Sequence, residues 1–327
     1  MIPEPSPTDT HDFAPFVRTV GRGPGRARSL TRAEAAHAMG MMLRGEATPE
    51  QIGALLMLLR YRGESAGEIA GFLDATRLHA GLPWRFAQPV DLDWPSYADG
   101  KTRGGPWYLL AALLLARSGV RIVMHGPLAG PGRRALAATL HRFGLTPATG
   151  PGDAETLLAS TGFAFLPIET LAPELSALLA LRGVLGLRSP MNTACRLLDP
   201  AAARTSIDGV FHPNYIRLHQ DVAALMGRDV GILKGGGGEA EWSGAKPLVL
   251  HVKGAEETWP ALDTAGKPEG QTPDDLRAVW LGERSDPMAE ATIIATTAIA
   301  LRVTGKETSP SACLAMARAL WAARRRD

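Results

Sequence analysis

The sequence predicts an α/β protein in which a small N-terminal helical domain is docked on a larger α/β domain with a mostly parallel sheet. Two observations lead to this prediction. Capped amphipathic helix patterns follow one another near the N-terminus, and further along the chain short apolar runs alternate with helical patterns. Strands that alternate with helices are typical of parallel sheets, because each parallel connection needs a crossover.

The helical domain is predicted over residues 30–95, after a flexible basic lead-in over residues 1–29 that is rich in Pro, Gly and Arg. Thr31 with Glu34 forms a capping-box pattern, and Thr48 precedes a proline at a first helical position. Ser65 begins a third helix. We expect helices near 173–190 to join this domain.

The α/β domain is predicted over residues 96–327. Apolar runs over 120–124, 163–166 and 231–233 indicate buried strands. A helical pattern over 107–116 precedes the first run, and those over 133–143 and 173–184 lie between the runs. The alternation favours a single sheet with helices on its faces.

Composition narrows the class of protein. A chain of 327 residues with 45% hydrophobic residues can bury a large core. Cys195 and Cys313 have no CxxC spacing, which argues against a zinc site or a disulfide framework and indicates a reducing compartment. The N-terminus lacks the pattern of a signal peptide, and no uninterrupted apolar run approaches about 18 residues. The sequence therefore predicts a cytoplasmic protein with no membrane partner.

Charge is distributed unevenly along the chain. Residues 18–44 hold six arginines against Glu34, and residues 100–152 hold seven basic residues and no acidic one. Since the formal net charge of the whole chain is +2, the rest of the chain carries −10. Such segregation predicts a basic face for an anionic partner, although the charges could also scatter once the chain is folded.

Three segments resemble one family, the glycosyltransferases and nucleoside phosphorylases built like anthranilate phosphoribosyltransferase. The segments are 30–34, 48–56 and 181–192, and Asp199-Pro200 is similar to the family's Asn-Pro. The resemblance implies a phosphoribosyltransferase-like fold, phosphoribosyl diphosphate as a ligand and Mg²⁺ as a cofactor of a working transferase. It also implies an acceptor-pocket or hinge role for Arg182, Arg188 and Asn192.

The motifs for diphosphate and metal depart from the family pattern. The family's Gly-Thr-Gly-Gly-Asp-Gly loop is matched to residues 99–107, where Lys101 and Arg103 replace glycines. Of the family's Lys-His-Gly-Asn-Arg motif, this chain keeps only His125 and Gly126. In the magnesium element, residues 234–241, Ala240 stands in the aspartate position, so that Glu239 and Glu241 remain as metal ligands unless the four glycines there form a plain flexible loop.

These departures resemble the divergent YbiB-type TrpD-like branch, which is associated with sequence-independent nucleic-acid binding and with dimerisation through the helical domain. Together with the charge pattern, they predict a homodimer that binds DNA non-specifically. Trp94, Tyr97, Trp107 and Tyr108 would either stack on bases or pack in the core. The residues predicted to bind phosphate or nucleic acid are Lys101, Thr102, Arg103, Gly104, Arg117, Arg121, His125, Arg133, Arg134 and Arg142.

Two alternatives remain open. The first is an active phosphoribosyl- or other pentosyltransferase that uses phosphoribosyl diphosphate, or another phosphorylated pentose, with an acceptor other than anthranilate. The second is an interaction scaffold that dimerises through a surface rich in Met39, Met41, Met42 and Leu43, unless these side chains belong to the core.

Overall fold

The computed structural model describes residues 12–23, 25–97, 104–130, 134–264 and 266–326. A helical domain comes first and a larger α/β domain follows, as predicted, although Leu92–Pro95, expected at the end of the helical domain, form a strand of the sheet. The helices of the first domain are α1 (Ala14–Gly21), α2 (Arg32–Leu43), α3 (Pro49–Arg62) and α4 (Ala66–His79).

The helices α2, α3 and α4 each begin with a complete capping box. The side chains of Thr31, Thr48 and Ser65 accept hydrogen bonds from the third backbone N–H of their helices, and the Glu or Gln at that position bonds back to the cap. Each box satisfies N–H groups that would otherwise have no partner at the helix start. These local bonds explain why the sequence predicts the helix starts correctly.

Helix α1 lies inside the segment expected to be a flexible lead-in. Phe13, Phe16 and Val20 follow helical spacing, and all three are buried in the core of the helical domain. Burial of this apolar stripe orders the segment although Pro, Gly and Arg surround it. The lead-in prediction is therefore wrong for residues 14–21.

The methionines of α2 belong to the core. Met39, Met41 and Met42 are at most 5% exposed and pack with residues of the other helices. They cannot form the dimerisation surface of the scaffold hypothesis, because their apolar area is already buried within the chain.

Seven strands form one sheet in the order β3-β2-β1-β4-β5-β6-β7. The strands β1 to β5 pair in parallel, and the last two add an antiparallel hairpin. The predicted, mostly parallel sheet is confirmed. The strands are β1 (Leu92–Pro95), β2 (Ile122–Gly126), β3 (Phe163–Pro167), β4 (Thr205–Val210), β5 (Val230–Lys234), β6 (Leu248–Val252) and β7 (Ala255–Trp259).

Within the described residues, eleven α-helices follow β1 along the chain. The first of them, α5, is buried along its length except at Arg117, because it lies between the sheet and α14. None of the helices in the described ranges is both long and apolar enough to cross a membrane. The helices are α5 (Trp107–Arg117), α6 (Arg134–Arg142), α7 (Pro151–Thr161), α8 (Ile168–Leu171), α9 (Pro173–Ala180), α10 (Arg182–Leu185), α11 (Met191–Ala194), α12 (Asn214–Leu225), α13 (Pro273–Leu281), α14 (Pro287–Val303) and α15 (Pro310–Ala322).

Candidate functional site

A cleft lies where the helical domain meets the carboxyl ends of the parallel strands. Its walls come from α3, the segment after β1, the segment between α10 and β4, and the start of α12. Ligands of open α/β sheets bind in the crevice outside the carboxyl ends of the strands, so this interdomain cleft is the candidate site. It is lined by Arg60, Tyr97, Arg188, Ser189, Asn192, Thr193, Arg196, Val210, Phe211, His212, Tyr215 and His219.

The lining of the cleft is positively charged. It contains three arginines and two histidines, and no Asp or Glu is among the described residues that line it. Arg60 donates a hydrogen bond to the hydroxyl of Tyr215. Burial, followed by the negative charge of Glu64, raises the pKa of Tyr215, so its phenol stays protonated at neutral pH. A cleft of this charge favours anionic ligands.

Arg196 fixes the floor of the cleft. Its Nη1 atom donates to the carbonyl oxygens of Gly209 and Gly238, at 2.8 Å in each case. These two bonds join the end of β4 to the glycine-rich turn after β5. A single buried guanidinium therefore holds two loops at the carboxyl edge of the sheet.

An aspartate and a histidine form a pair beside the cleft. Asp208, on β4, lies with its Oδ2 atom 3.0 Å from Nδ1 of His219, on α12. Both residues are buried, and His219 is part of the cleft lining. Because a carboxylate accepts hydrogen bonds, it selects the tautomer with the proton on Nδ1 and leaves Nε2 as an acceptor.

His125 lies inside the protein. It is fully buried on β2, where Nδ1 lies 2.8 Å from the hydroxyl of Tyr97 and Nε2 lies 3.2 Å from Oδ1 of Asp93. Burial alone would raise the pKa of Asp93, but the neighbouring His125, the charge of Arg228 and a hydrogen bond from Ser206 outweigh it and lower that pKa. His125 therefore does not line the cleft, and its connection to the cleft is the hydrogen bond with Tyr97, which does line it.

The glycine-rich turn over residues 235–238 is tight. A Cβ atom at Gly235 would lie 1.6 Å from the carbonyl oxygen of Glu239, and Gly237 and Gly238 have φ values of 66° and 91°. Positive φ values and such a close backbone approach both require glycine. The turn is therefore a defined structure, and the interpretation as a plain flexible loop is wrong.

The two glutamates predicted as metal ligands have other surroundings. The Oε2 atom of Glu241 accepts a hydrogen bond of 3.0 Å from the backbone N–H of Tyr108, in the first turn of α5. Glu239 is buried at 1% exposure. In the ranges that the structure describes, no group of three or more His, Cys, Asp or Glu side chains is arranged to hold a metal ion. Glu239 and Glu241 are therefore not part of a described group of three or more side chains that could hold a metal ion.

The structure describes six of the ten residues predicted to bind phosphate or nucleic acid, and these six lie on several different elements. Lys101, Thr102, Arg103 and Arg133 lie outside the described residues. Gly104 precedes α5 and Arg134 begins α6. The loop after β1 starts at Ser96 and Tyr97, three residues before the stretch 99–107 that the sequence comparison matched to the diphosphate loop.

The basic residues around β2 lie at the opposite edge of the sheet from the cleft. Arg121 immediately precedes β2 and donates to the carbonyl oxygens of Pro89 and Leu158. Arg117 packs on the Trp280 ring and donates to the carbonyl of Arg325. Both residues are therefore held by their own chain at the amino end of β2.

Arg142 and the four aromatic residues predicted to lie beside the basic residues have partners or positions within the protein as well. Arg142 forms an ion pair with Asp274. The aromatic residues Trp94, Tyr97, Trp107 and Tyr108 are at most 2% exposed. Stacking of bases on these four rings is excluded by burial, and the core-packing interpretation is correct.

Two of the predicted acceptor-pocket or hinge residues, Arg188 and Asn192, line the cleft, whereas Arg182 lies in α10 outside the lining. The sequence analysis did not select Arg196, Phe211, His212, Tyr215 or His219. Four of these five follow β4. Because the sequence did not predict this strand, it gave no indication that the four residues lie together at a strand end. The signal that could have found them is the group of His and aromatic residues directly after Asp208-Gly209.

Comparisons with known proteins agree with this architecture. Residues 14–80 match the family model described as the helical bundle domain of the glycosyl transferase family. The chain is 29% identical to the uncharacterized protein YbiB of Escherichia coli K12 over 294 residues, which cover 86% of this chain and 91% of that protein. It is 34% identical over 233 residues to the anthranilate phosphoribosyltransferase of Methanosphaerula palustris, with coverage of 70% and 68%.

Solved structures show the same fold over nearly the whole chain. The anthranilate phosphoribosyltransferase of Thermus thermophilus is 25% identical and superposes with a TM-score of 0.79 over 94% of each chain. The enzyme of Saccharomyces cerevisiae in complex with PRPP and Mg is 16% identical, with a TM-score of 0.76 over 95% of this chain and 93% of that one. At that identity the second likeness concerns the fold alone.

Proposed function

This chain belongs to the anthranilate phosphoribosyltransferase family of glycosyl transferases, and from that premise we propose that it is a transferase that binds a phosphorylated pentose in the interdomain cleft. The donor is phosphoribosyl diphosphate or a close relative of it. The acceptor that we propose is a molecule other than anthranilate.

The observation that carries this proposal is the charge of the cleft. Arg60, Arg188 and Arg196 line it together, and the described lining contains no acidic side chain. Guanidinium groups bind phosphate oxygens through charge-assisted, often bidentate hydrogen bonds. Glycosyl transfer from a diphosphate donor depends mainly on positioning and on stabilising the departing diphosphate, which such a cleft supplies.

Magnesium enters this proposal as a ligand of the bound diphosphate. The yeast relative is a complex with PRPP and Mg. In this chain, the described residues offer no acidic cluster for the ion, and Glu241 already binds the start of α5. Diphosphate oxygens and water would therefore supply most of the oxygen ligands that Mg²⁺ prefers.

Calorimetry with the full chain tests the proposal. Phosphoribosyl diphosphate is titrated into the wild type, Arg188→Ala and Arg217→Ala, with and without Mg²⁺. Arg217 is the matched control, since it is an exposed arginine of α12 outside the cleft. We expect binding by the wild type, about tenfold or more weaker binding by Arg188→Ala, and a change below about twofold in the control. No binding by the wild type, or equal effects of the two substitutions, would contradict the proposal.

A second candidate function is sequence-independent binding of nucleic acid, and one surface of the helical domain favours it. Four exposed arginines, Arg18, Arg22, Arg26 and Arg28, surround a concavity at the end of α1. Arg28 is paired with Glu34, and no carboxylate is among the described residues that line the concavity. Several such cations would neutralise backbone phosphates without reading bases.

Binding of a labelled single-stranded oligonucleotide across a salt series tests the second candidate. The double variant Arg18→Ala/Arg22→Ala should reduce the slope of log affinity against log salt by about 1 to 2, and Arg217→Ala should leave it unchanged. The predicted homodimer would place two such surfaces on one particle and raise avidity. Light scattering after size-exclusion chromatography measures that oligomeric state, and an unchanged salt slope in the double variant would rule out this surface.

A further inference from the structure

The pair formed by Asp208 and His219 has the geometry of an oriented base. The carboxylate belongs to β4, which is a rigid inner strand of the sheet, and the imidazole belongs to α12. The distance of 3.0 Å between Oδ2 and Nδ1 is that of a hydrogen bond. Because both groups are buried, water does not compete for the hydrogen bond between them.

The ring orientation leaves one nitrogen for a ligand. Nδ1 of His219 is engaged by Asp208, which is not part of the cleft lining, whereas His219 is part of it. Nε2 is the ring nitrogen that Asp208 does not engage, and it carries a lone pair in the tautomer that the carboxylate selects. A carboxylate that orients a histidine in this way also stabilises the imidazolium formed when Nε2 takes up a proton.

Resting on the proposed transferase function, we propose that His219 is the general base of the reaction and that the acceptor is an N–H or O–H compound that loses a proton as it attacks. The acceptor nitrogen or oxygen forms a bond to C1 of the pentose. The bond between C1 and the diphosphate oxygen breaks, and the diphosphate leaves with the electron pair. The acceptor proton passes to Nε2 of His219 and later to solvent.

The rest of the cleft is suited to this step. Arg60 and Arg188 provide positive charge for the diphosphate as it departs, and Asp208 is kept behind the imidazole. His219 is the member of the lining whose ring is held by a buried carboxylate of a neighbouring strand. General bases of this kind contribute about 100-fold or more to rate.

A comparison of water with azide as acceptors tests the proposal. Water must lose a proton when it attacks C1, whereas the azide anion has none to lose. The purified full chain is incubated with phosphoribosyl diphosphate in the presence or absence of azide, and release of diphosphate and formation of the ribosyl azide product are measured. His219→Gln should slow the reaction with water about 100-fold and leave the reaction with azide within a few-fold of wild type.

His251→Gln is the matched control. His251 is also buried and lies beside a carboxylate, that of Glu256, but it belongs to β6 outside the cleft. Its reactions with water and azide should both equal those of the wild type. A loss in His219→Gln that is equal for both nucleophiles would indicate a structural role and overturn the proposal, as would an unchanged reaction with water.

Two further measurements separate the failure of this proposal from that of the proposed function. No binding of phosphoribosyl diphosphate to the wild type, or a bound donor that reacts with neither water nor azide, would remove the transferase itself. A donor that reacts with both nucleophiles as fast in His219→Gln as in the wild type would remove only the base. Nitrogen-15 spectra of the wild-type imidazoles provide the second readout. They should show His219 with its proton on Nδ1, and a proton on Nε2 instead would overturn the assignment even if the variant does not fold.

Discussion

The carboxylate of Asp93 and the guanidinium of Arg228 form an ion pair inside the protein, with Nη2 3.3 Å from Oδ2. Arg228 also reaches Asp199, at 3.1 Å from its Nε atom, and the carbonyl oxygen of Leu197. Asp93 in turn binds Ser206 and His125. One buried guanidinium thus compensates two carboxylates, and through them it connects the centre of the sheet to the floor beneath the cleft.

Replacement of Arg228 by Met should be strongly destabilising. The substitution leaves Asp93 buried without its arginine and Asp199 with only the more distant Arg77, at 3.9 Å. Breaking a buried pair in this way costs about 3–5 kcal/mol. Urea unfolding of the variant measures this loss in the free energy of unfolding. Arg217→Met is the control, since that side chain is 82% exposed and its loss should change stability by less than about 0.5 kcal/mol. Similar stabilities of the two variants would show that the buried pair is not needed.

In the tight glycine turn over residues 235–238, alanine substitutions at two neighbouring positions should differ in their effect on stability. In Gly235→Ala the new Cβ atom meets the backbone oxygen of Glu239, which cannot move without distorting the turn. In Gly236→Ala its nearest neighbour is Oε1 of Glu241, at 3.1 Å, which is the end of a flexible side chain. We expect a loss of about 1–3 kcal/mol for the first variant and less than about 1 kcal/mol for the second. Thermal unfolding of the pair measures the difference, and equal melting temperatures would contradict a defined turn.

The elements that the sequence predicts correctly are those encoded by neighbouring residues. Thr31 and Glu34 cap α2 with bonds made within four residues, and the apolar run of β3 needs only its own side chains to indicate burial. The hairpin of β6 and β7 also had a local signal, the Lys253-Gly254 turn with two positive φ values. That signal was overlooked.

The strand β4 shows why the candidate site was only partly predictable. Ser206 and Asp208 are polar residues of this strand, yet both are buried. Each is satisfied by a distant partner, Ser206 by Asp93 on β1 and Asp208 by His219 on α12. Polar residues at buried positions conceal a strand from any pattern based on hydrophobicity, and only the tertiary structure provides their partners. The side chains that follow β4 into the cleft were therefore missed.

Acid should weaken the cap of α13 in a defined range of pH. Backbone N–H groups of Thr272 and Gln271, with the Thr272 hydroxyl, lower the pKa of Asp275 to about 2. Because the folded-state pKa lies below the unfolded value of 3.8, the stabilisation is present above that value and is lost as the pH falls toward 2. Asp275→Asn should therefore be less stable than the wild type at pH 6, with a difference that shrinks between pH 4 and pH 2. Urea unfolding at a series of pH values checks this, and a difference independent of pH would contradict it.

The carboxylate of Glu241 at the start of α5 makes a prediction whose sign separates two roles. A helix start favours anions, and the stretch 99–107, which resembles the family's diphosphate loop, ends at Trp107, the first residue of α5. Glu241 already occupies the N–H of Tyr108, so its charge repels an approaching diphosphate. If that is its role, Glu241→Gln should tighten binding of phosphoribosyl diphosphate by about two- to fivefold, with or without Mg²⁺. If Glu241 instead held the metal, the same substitution would weaken binding, and only when Mg²⁺ is present. Calorimetry in buffers with and without Mg²⁺ distinguishes these outcomes. Glu256→Gln, on the edge strand β7, is the control for the loss of one negative charge. Since the described residues contain no group of three or more side chains that could hold a metal ion, we expect tighter binding.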